Sequence, residues 1–112
     1  MKKVIHKNLN HIVSEPTTHL VGSKKTFMHG FETETMLTHA SFGSLEKGEF
    51  IDNHQHPTME EFFFFTKGRI KIVIENVEYL CKKDDFFKIP KATNHSFEAL
   101  TDATFIYWGI AI

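Results

Sequence analysis

A single cysteine, Cys81, cannot close an internal disulfide, so the chain is not a cysteine-stapled scaffold and its thiol usage agrees with a reducing compartment. Cys81 reads as a buried filler; a reactive thiol needs a basic neighbour, and Lys82 and Lys83 point elsewhere in an extended segment. No stretch is apolar over the roughly 20 residues that a bilayer-spanning helix requires. The first residues carry charge without the apolar run of a signal peptide, and the expected location is cytoplasmic. Charge of one sign is also missing: 13 Lys and Arg stand against 14 Asp and Glu, for a net charge of -1. Such a balance offers no electrostatic footprint for a polyphosphate, and nucleic acid and membrane surfaces are not expected partners. The lysine pairs Lys2-Lys3, Lys24-Lys25 and Lys82-Lys83 are scattered and read as solvated surface. Internal repeats and low-complexity segments are absent too.

What is present is a folding chain. Hydrophobic residues make up 41% and charged residues 24%, with twelve phenylalanines, which argues against disorder. A length of 112 residues suits one domain burying roughly two-thirds of its unfolded surface. From residue 33 onward, short β-rich runs alternate with turn signals, and no helical period persists over a dozen residues. Strands are expected at 35–42, 50–55, 61–66, 70–75, 77–81, 85–89, 94–99 and 103–112. Gly43-Ser44, Lys47-Gly48, His56-Pro57-Thr58, Lys67-Gly68, Glu75-Asn76, 82–84, Pro90-Lys91 and Thr101-Asp102 separate them as turns. That spacing predicts an all-β sandwich or barrel over 33–112. Residues 1–32 read as an N-terminal segment packing on the barrel or on a partner subunit, with 9–14 either a turn of helix or a strand. Phe62-Phe63-Phe64-Phe65 and the run from Phe105 to Ile112 are apolar on both faces, which predicts a covered outer face and a homodimer.

The chemistry centres on His54-Gln55-His56. Alternation along a strand puts both imidazoles on one face, within reach of a single ion. Gly48 lies six before His54, Glu61 five after His56, and Gly68 seven after Glu61. This resembles the first cupin motif, G-x5-H-x-H-x3-4-E-x6-G, at every fixed position. Downstream, Pro90 and His95 resemble the second motif, G-x5-P-x-G-x2-H-x3-N, whereas Asp84, Ala92 and Ala99 stand where that family has Gly, Gly and Asn. The resemblance, to a small single-domain cupin of the type-2 conserved-barrel kind, runs from Gly48 to Ala99. It implies a double-stranded β-helix, a jelly-roll barrel whose inner face presents His54, His56, Glu61 and His95 to one divalent transition metal per subunit. Imidazole and carboxylate ligands suit Mn, Fe, Co, Ni, Cu or Zn, and four of them leave one or two positions open for water, a chelating substrate or dioxygen.

Glu60 competes with Glu61 for the carboxylate role, and counting back from Gly68 favours Glu61. That register turns Phe63 and Phe65 inward as pocket wall and Phe62 and Phe64 outward. His39 is the candidate catalytic group, set against a structural role. Tyr107 and Trp108 read as packing residues, and His6, His11, His19 and His29 as incidental. The expected function is a metal-dependent enzyme on a small polar metabolite, an organic acid or sugar derivative that chelates the ion, with dioxygenase, isomerase and lyase chemistry all open. The alternatives are a non-catalytic binding or sensing cupin, and a nucleotide-sugar isomerase or epimerase working through His and Tyr without metal.

Overall fold

The β-branched and aromatic runs become strands, because alternating side chains let each run bury one face and solvate the other. The computed structural model describes residues 5–112, so the Lys2-Lys3 pair and the opening of the N-terminal segment lie outside the described residues. The strands are β1 (Glu15–Pro16), β2 (Ser23–His29), β3 (Leu37–Leu45), β4 (Phe50–His54), β5 (Met59–Lys67), β6 (Arg69–Ile74), β7 (Val77–Lys82), β8 (Phe86–Ile89), β9 (His95–Ala99) and β10 (Ala103–Ala111). Short 3-10 turns at Leu9–His11 and Gly30–Glu32 are the helical elements among the described residues, and no helix there is long and apolar enough to cross a membrane.

Antiparallel pairing arranges the strands in two sheets, β1-β2-β3-β10-β5-β8 and β4-β9-β6-β7. They face each other across a core that includes Leu45, Phe63, Phe65, Ile70, Ile72, Phe97 and Phe105. This is the double-stranded β-helix, a jelly roll closed by hydrophobic burial between its sheets. On β5 the alternation is clear: Glu61, Phe63 and Phe65 are buried, while Phe64 is 37% exposed. The inward register therefore belongs to Glu61, and Glu60 turns outward to pair with Lys88 on β8, at 2.9 Å.

Two elements differ from the sequence reading. Gly43-Ser44 is not a turn; β3 runs through it to Leu45, and Gly43 is there because the ring of Phe105 occupies the space a Cβ would need. Strand β2 was not expected, since its Lys24-Lys25 pair and mixed sequence lack period-two alternation. It pairs along β3 from Ser23↔Ser44 to His29↔His39, so the sheet extends upstream of residue 33.

The turns account for residues that depart from the motif. Glu75 and Asn76 both take positive φ, 44° and 70°, as a two-residue hairpin with the twist of its strands requires. Asp84 (φ 74°) and Ala92 (φ 56°) hold left-handed conformations at the positions where the resemblance has glycine. The turn geometry is kept and its cost is carried by a side chain, about 1–2 kcal/mol for an L-residue.

Ala92→Gly should therefore raise stability in urea unfolding by about 0.5–1 kcal/mol, the relief of that strain less the added chain entropy of glycine. Gly68→Ala should cost about 2 kcal/mol or more, because Gly68 has φ 82° and an added Cβ would collide with the Asp102 carbonyl. Cys81 is buried, and burial followed by the charge of Asp85 pushes its thiol up to about 11. Alkylation at pH 8 should be negligible in the folded protein and rapid in denaturant; fast labelling of the native chain would contradict this environment.

Candidate metal centre

Register on the four-stranded sheet brings the imidazoles together. β4 and β9 are neighbours, and His54 sits directly opposite His95. His56 lies two residues on, in the loop after β4, where its carbonyl accepts a 2.8 Å hydrogen bond from the backbone N–H of Ala92. The strained Ala92 turn thus anchors the second histidine. One donor atom from each of His54, His56 and His95 lies within 4.8 Å of the others, a grouping that can hold a metal ion. The ring centroids of His54 and His95 are 4.2 Å apart.

Hydrogen bonds orient two of the rings. His54 Nδ1 lies 2.7 Å from the carbonyl of Asp52, and His95 Nδ1 lies 2.8 Å from that of Thr93. A carbonyl only accepts, so each Nδ1 carries the proton and each Nε2 is left as a bare lone pair. His95 is 1% exposed, and its Nε2 is sealed inside with no hydrogen-bond partner among the described residues. An orphaned acceptor of this kind costs about 1–3 kcal/mol unless something is bound to it.

Glu61 reaches the same point from the opposite sheet. Its Oε1 is 3.2 Å from His56 Nε2 and 3.7 Å from His95 Nε2. Burial pushes the Glu61 carboxyl up, but opposing effects, led by the hydrogen bond from His56 and then its charge, outweigh it and hold the group below the usual carboxylate range. The same hydrogen bond raises His56 against the opposing effect of its burial. His95 is lowered by burial, which favours the neutral ring. An anionic oxygen and two Nε2 lone pairs, joined by the His56 Nε2 once the proton it shares with Glu61 is displaced, make a donor set that fits a divalent cation.

Beside this cluster is a cavity of about 210 Å³. Phe63, Phe97, Phe105 and Tyr107 form its apolar wall, with His39 and Lys24 as polar members. Phe65, expected in the wall, is one pleat further from the histidines and packs in the core against Phe63 and Phe105. Tyr107, expected only to pack, also faces the cavity; burial, then the charges of Glu61 and Glu15, push its hydroxyl up to about 12.

His19, read as incidental, lines the cavity. Segment 17–21, with a Thr17 hydroxyl to Val21 carbonyl bond of 2.7 Å, contributes to the lining and puts the His19 ring 4.3 Å from that of His54. Burial and the charges of His54 and His56 lower it. No spacing in the sequence signals this contact, because it joins residues 35 apart in the chain. His29 stacks on Phe31 away from the cavity.

Comparison with known proteins agrees with this architecture. The polyketide synthase CurC of Streptomyces cyaneus is 27% identical over 82 residues, 65% of this chain and 53% of that protein. Acireductone dioxygenase of Stutzerimonas stutzeri (strain A1501) is 32% identical over 63 residues, 54% of this chain and 35% of that protein. The chain thus spans about half the length, or less, of the curated relatives it matches. A predicted oxalate decarboxylase from Thermotoga maritima shares the fold, with a TM-score of 0.86 at 15% identity over 98% of this chain and 100% of that one. The sequence profile described as "Cupin domain" matches residues 41–110, well over half of the protein and the span that carries His54, His56 and His95. With the barrel, the register and that match in hand, the chain belongs to the cupin domain family.

Proposed function

We propose that this cupin is a metal-dependent enzyme holding one divalent transition metal ion, Mn, Fe, Co, Ni, Cu or Zn, on His54, His56, His95 and Glu61. Its substrate is a small polar metabolite, an organic acid or sugar derivative, that chelates the ion. The observation that carries the reading is the sealed, unpartnered Nε2 of His95, aimed at a buried carboxylate and beside a second imidazole with its proton on Nδ1. Bound there, a metal ion supplies Lewis acidity and a seat for a chelating ligand.

The remaining work falls to the chain. Glu61 stays ionised beside the histidines, and the carbonyls of Asp52 and Thr93 hold two rings in orientation. Phe63, Phe97 and Phe105 exclude bulk water, and the cavity volume admits only a small molecule. Two of the similar proteins are named for reactions on acireductone and oxalate, which supports a small oxygenated substrate. The free, buried Cys81 supports a cytoplasmic setting.

We also infer a homodimer. The outer face of β5, β8 and β10 carries a stack of Phe62 on Trp108, with ring centroids 5.6 Å apart, flanked by Phe86, which is 58% exposed.

Elemental analysis of protein prepared without a nickel column should find about one transition metal per chain, and the His54→Ala/His95→Ala variant should have lost it. No metal, and no uptake of any added divalent ion, would remove the proposal. Glu61→Ala should weaken metal affinity by about tenfold or more, while Glu60→Ala, which only frees Lys88, should retain it; the reverse result would reassign the carboxylate. Light scattering at micromolar concentration should give twice the 13.0 kDa chain mass, and a monomer mass would overturn the dimer.

A further inference from the structure

A chain of hydrogen bonds runs across three strands of the six-stranded sheet, β1, β2 and β3, and ends at a residue of the cavity. The Thr26 hydroxyl on β2 lies 3.1 Å from Glu15 Oε1 on β1. Ser41 Oγ on β3 lies 3.2 Å from Thr26 Oγ1, and His39 Nδ1 lies 2.9 Å from Ser41 Oγ. Thr26 and Ser41 are buried, Glu15 is exposed at the sheet edge, and His39 lines the cavity. His39 and Glu61 also sit opposite the same residue, Gly109, on the two sides of β10.

The chemistry of the outer end dictates the direction of every bond. An ionised carboxylate only accepts, so Thr26 donates to Glu15. The Thr26 oxygen then accepts from Ser41, which uses the one proton Ser41 has. Only lone pairs remain on Ser41 for His39, so His39 Nδ1 must carry a proton. In a neutral ring that leaves the lone pair on Nε2, the nitrogen that Ser41 does not engage. Burial favours the neutral ring, and the charges of Lys24, His29 and His56 act with it against that of Glu61.

We propose that Glu15, Thr26 and Ser41 form a positioning device that holds His39 as its Nδ1–H tautomer, so that Nε2 offers a proton-accepting lone pair to a molecule held on the histidines across the cavity. The ligand class that fits is a chelator with a hydroxyl or an acidic C–H bond beside its coordinating oxygens. In the transfer, Nε2 takes the ligand's proton and the electron pair of the broken O–H or C–H bond stays on the ligand. Nδ1 passes its proton to Ser41, Ser41 to Thr26, and Thr26 to the Glu15 carboxylate, which opens to solvent. The ligand class rests on the metal-site reading above; the tautomer does not.

Long-range proton–nitrogen correlation NMR on metal-free protein with 15N-labelled histidine, at pH 7.5, tests the device; the His39→Asn spectrum identifies the His39 signals. The expected result is His39 at least about nine-tenths in the Nδ1–H form. Thr26→Val keeps the shape of the side chain but leaves the Ser41 proton free to turn toward His39, and Ser41→Ala leaves Nδ1–H with no acceptor. Each should lower the Nδ1–H fraction to about one half or less. An Nε2–H or doubly protonated His39 in the unsubstituted protein overturns the proposal, and so does a folded variant that keeps the tautomer unchanged. Should both variants fail to fold, the unsubstituted spectrum decides alone. Calorimetric titration with zinc separates the two readings: lost zinc binding with the tautomer intact removes only the metal site, and intact zinc binding with an inverted tautomer removes only the device.

Discussion

A lone pair on a ring nitrogen, closed off inside a barrel with no hydrogen-bond partner among the described residues, is the constraint around which this molecule is arranged. His95 Nε2 is in that state because the proton of the ring is drawn to the other nitrogen by the Thr93 carbonyl. His54, opposite in register, is held the same way by Asp52. The third imidazole, His56, is tied down by a backbone bond to a turn that costs strain at Ala92. A core histidine kept merely for packing would not demand a buried carboxylate from the facing sheet, yet Glu61 is there. On the proposed reading, a cation balances all four groups together and repays the desolvation of each.

The two sheets divide the labour. The four-stranded sheet and its loops present three imidazoles, while the six-stranded sheet supplies Glu61, His39 and Tyr107 to the other side of a small cavity. Closure of the jelly roll brings these two sets to the same small cavity, whose wall includes the core phenylalanines Phe63, Phe97 and Phe105. Hydrophobic burial and polar chemistry are therefore served by the same alternating strands: Phe63 packs the core and walls the cavity, while Glu61, two residues before it on the same face, enters the site.

Part of what lines the cavity lies outside the family match at 41–110. Strands β1 and β2 carry Glu15 and Thr26, and the segment between them puts His19 beside His54. The matched span brings His54, His56, His95 and Glu61 together; the upstream strands add His19 and the hydrogen-bonded chain behind His39. Varying the side chains around one shared frame is how one fold comes to host different chemistries.

Local periodicity was readable without a structure because it is a property of neighbours in the chain. The eight expected strands of the barrel and the turn at Glu75-Asn76 rest on period two or on turn chemistry within a few residues, whereas the choice of Glu61 over Glu60 and the grouping of His95 with His54 and His56 came from the resemblance to the cupin motifs. What depends on which distant strands become neighbours was not readable. Strand β2, disguised by its lysines, becomes a strand by pairing with β3, and only that pairing brings Thr26 to Ser41 and His19 to His54. Gly43 looks like a turn until Phe105 arrives from the far end of the chain, and Phe65 looks like cavity wall until the cavity is found one pleat away. The sequence by itself determined the alternation, the motif spacing and the candidate side chains of the site. Tertiary structure alone decided which side chains meet, because register and barrel closure join residues that share no local pattern.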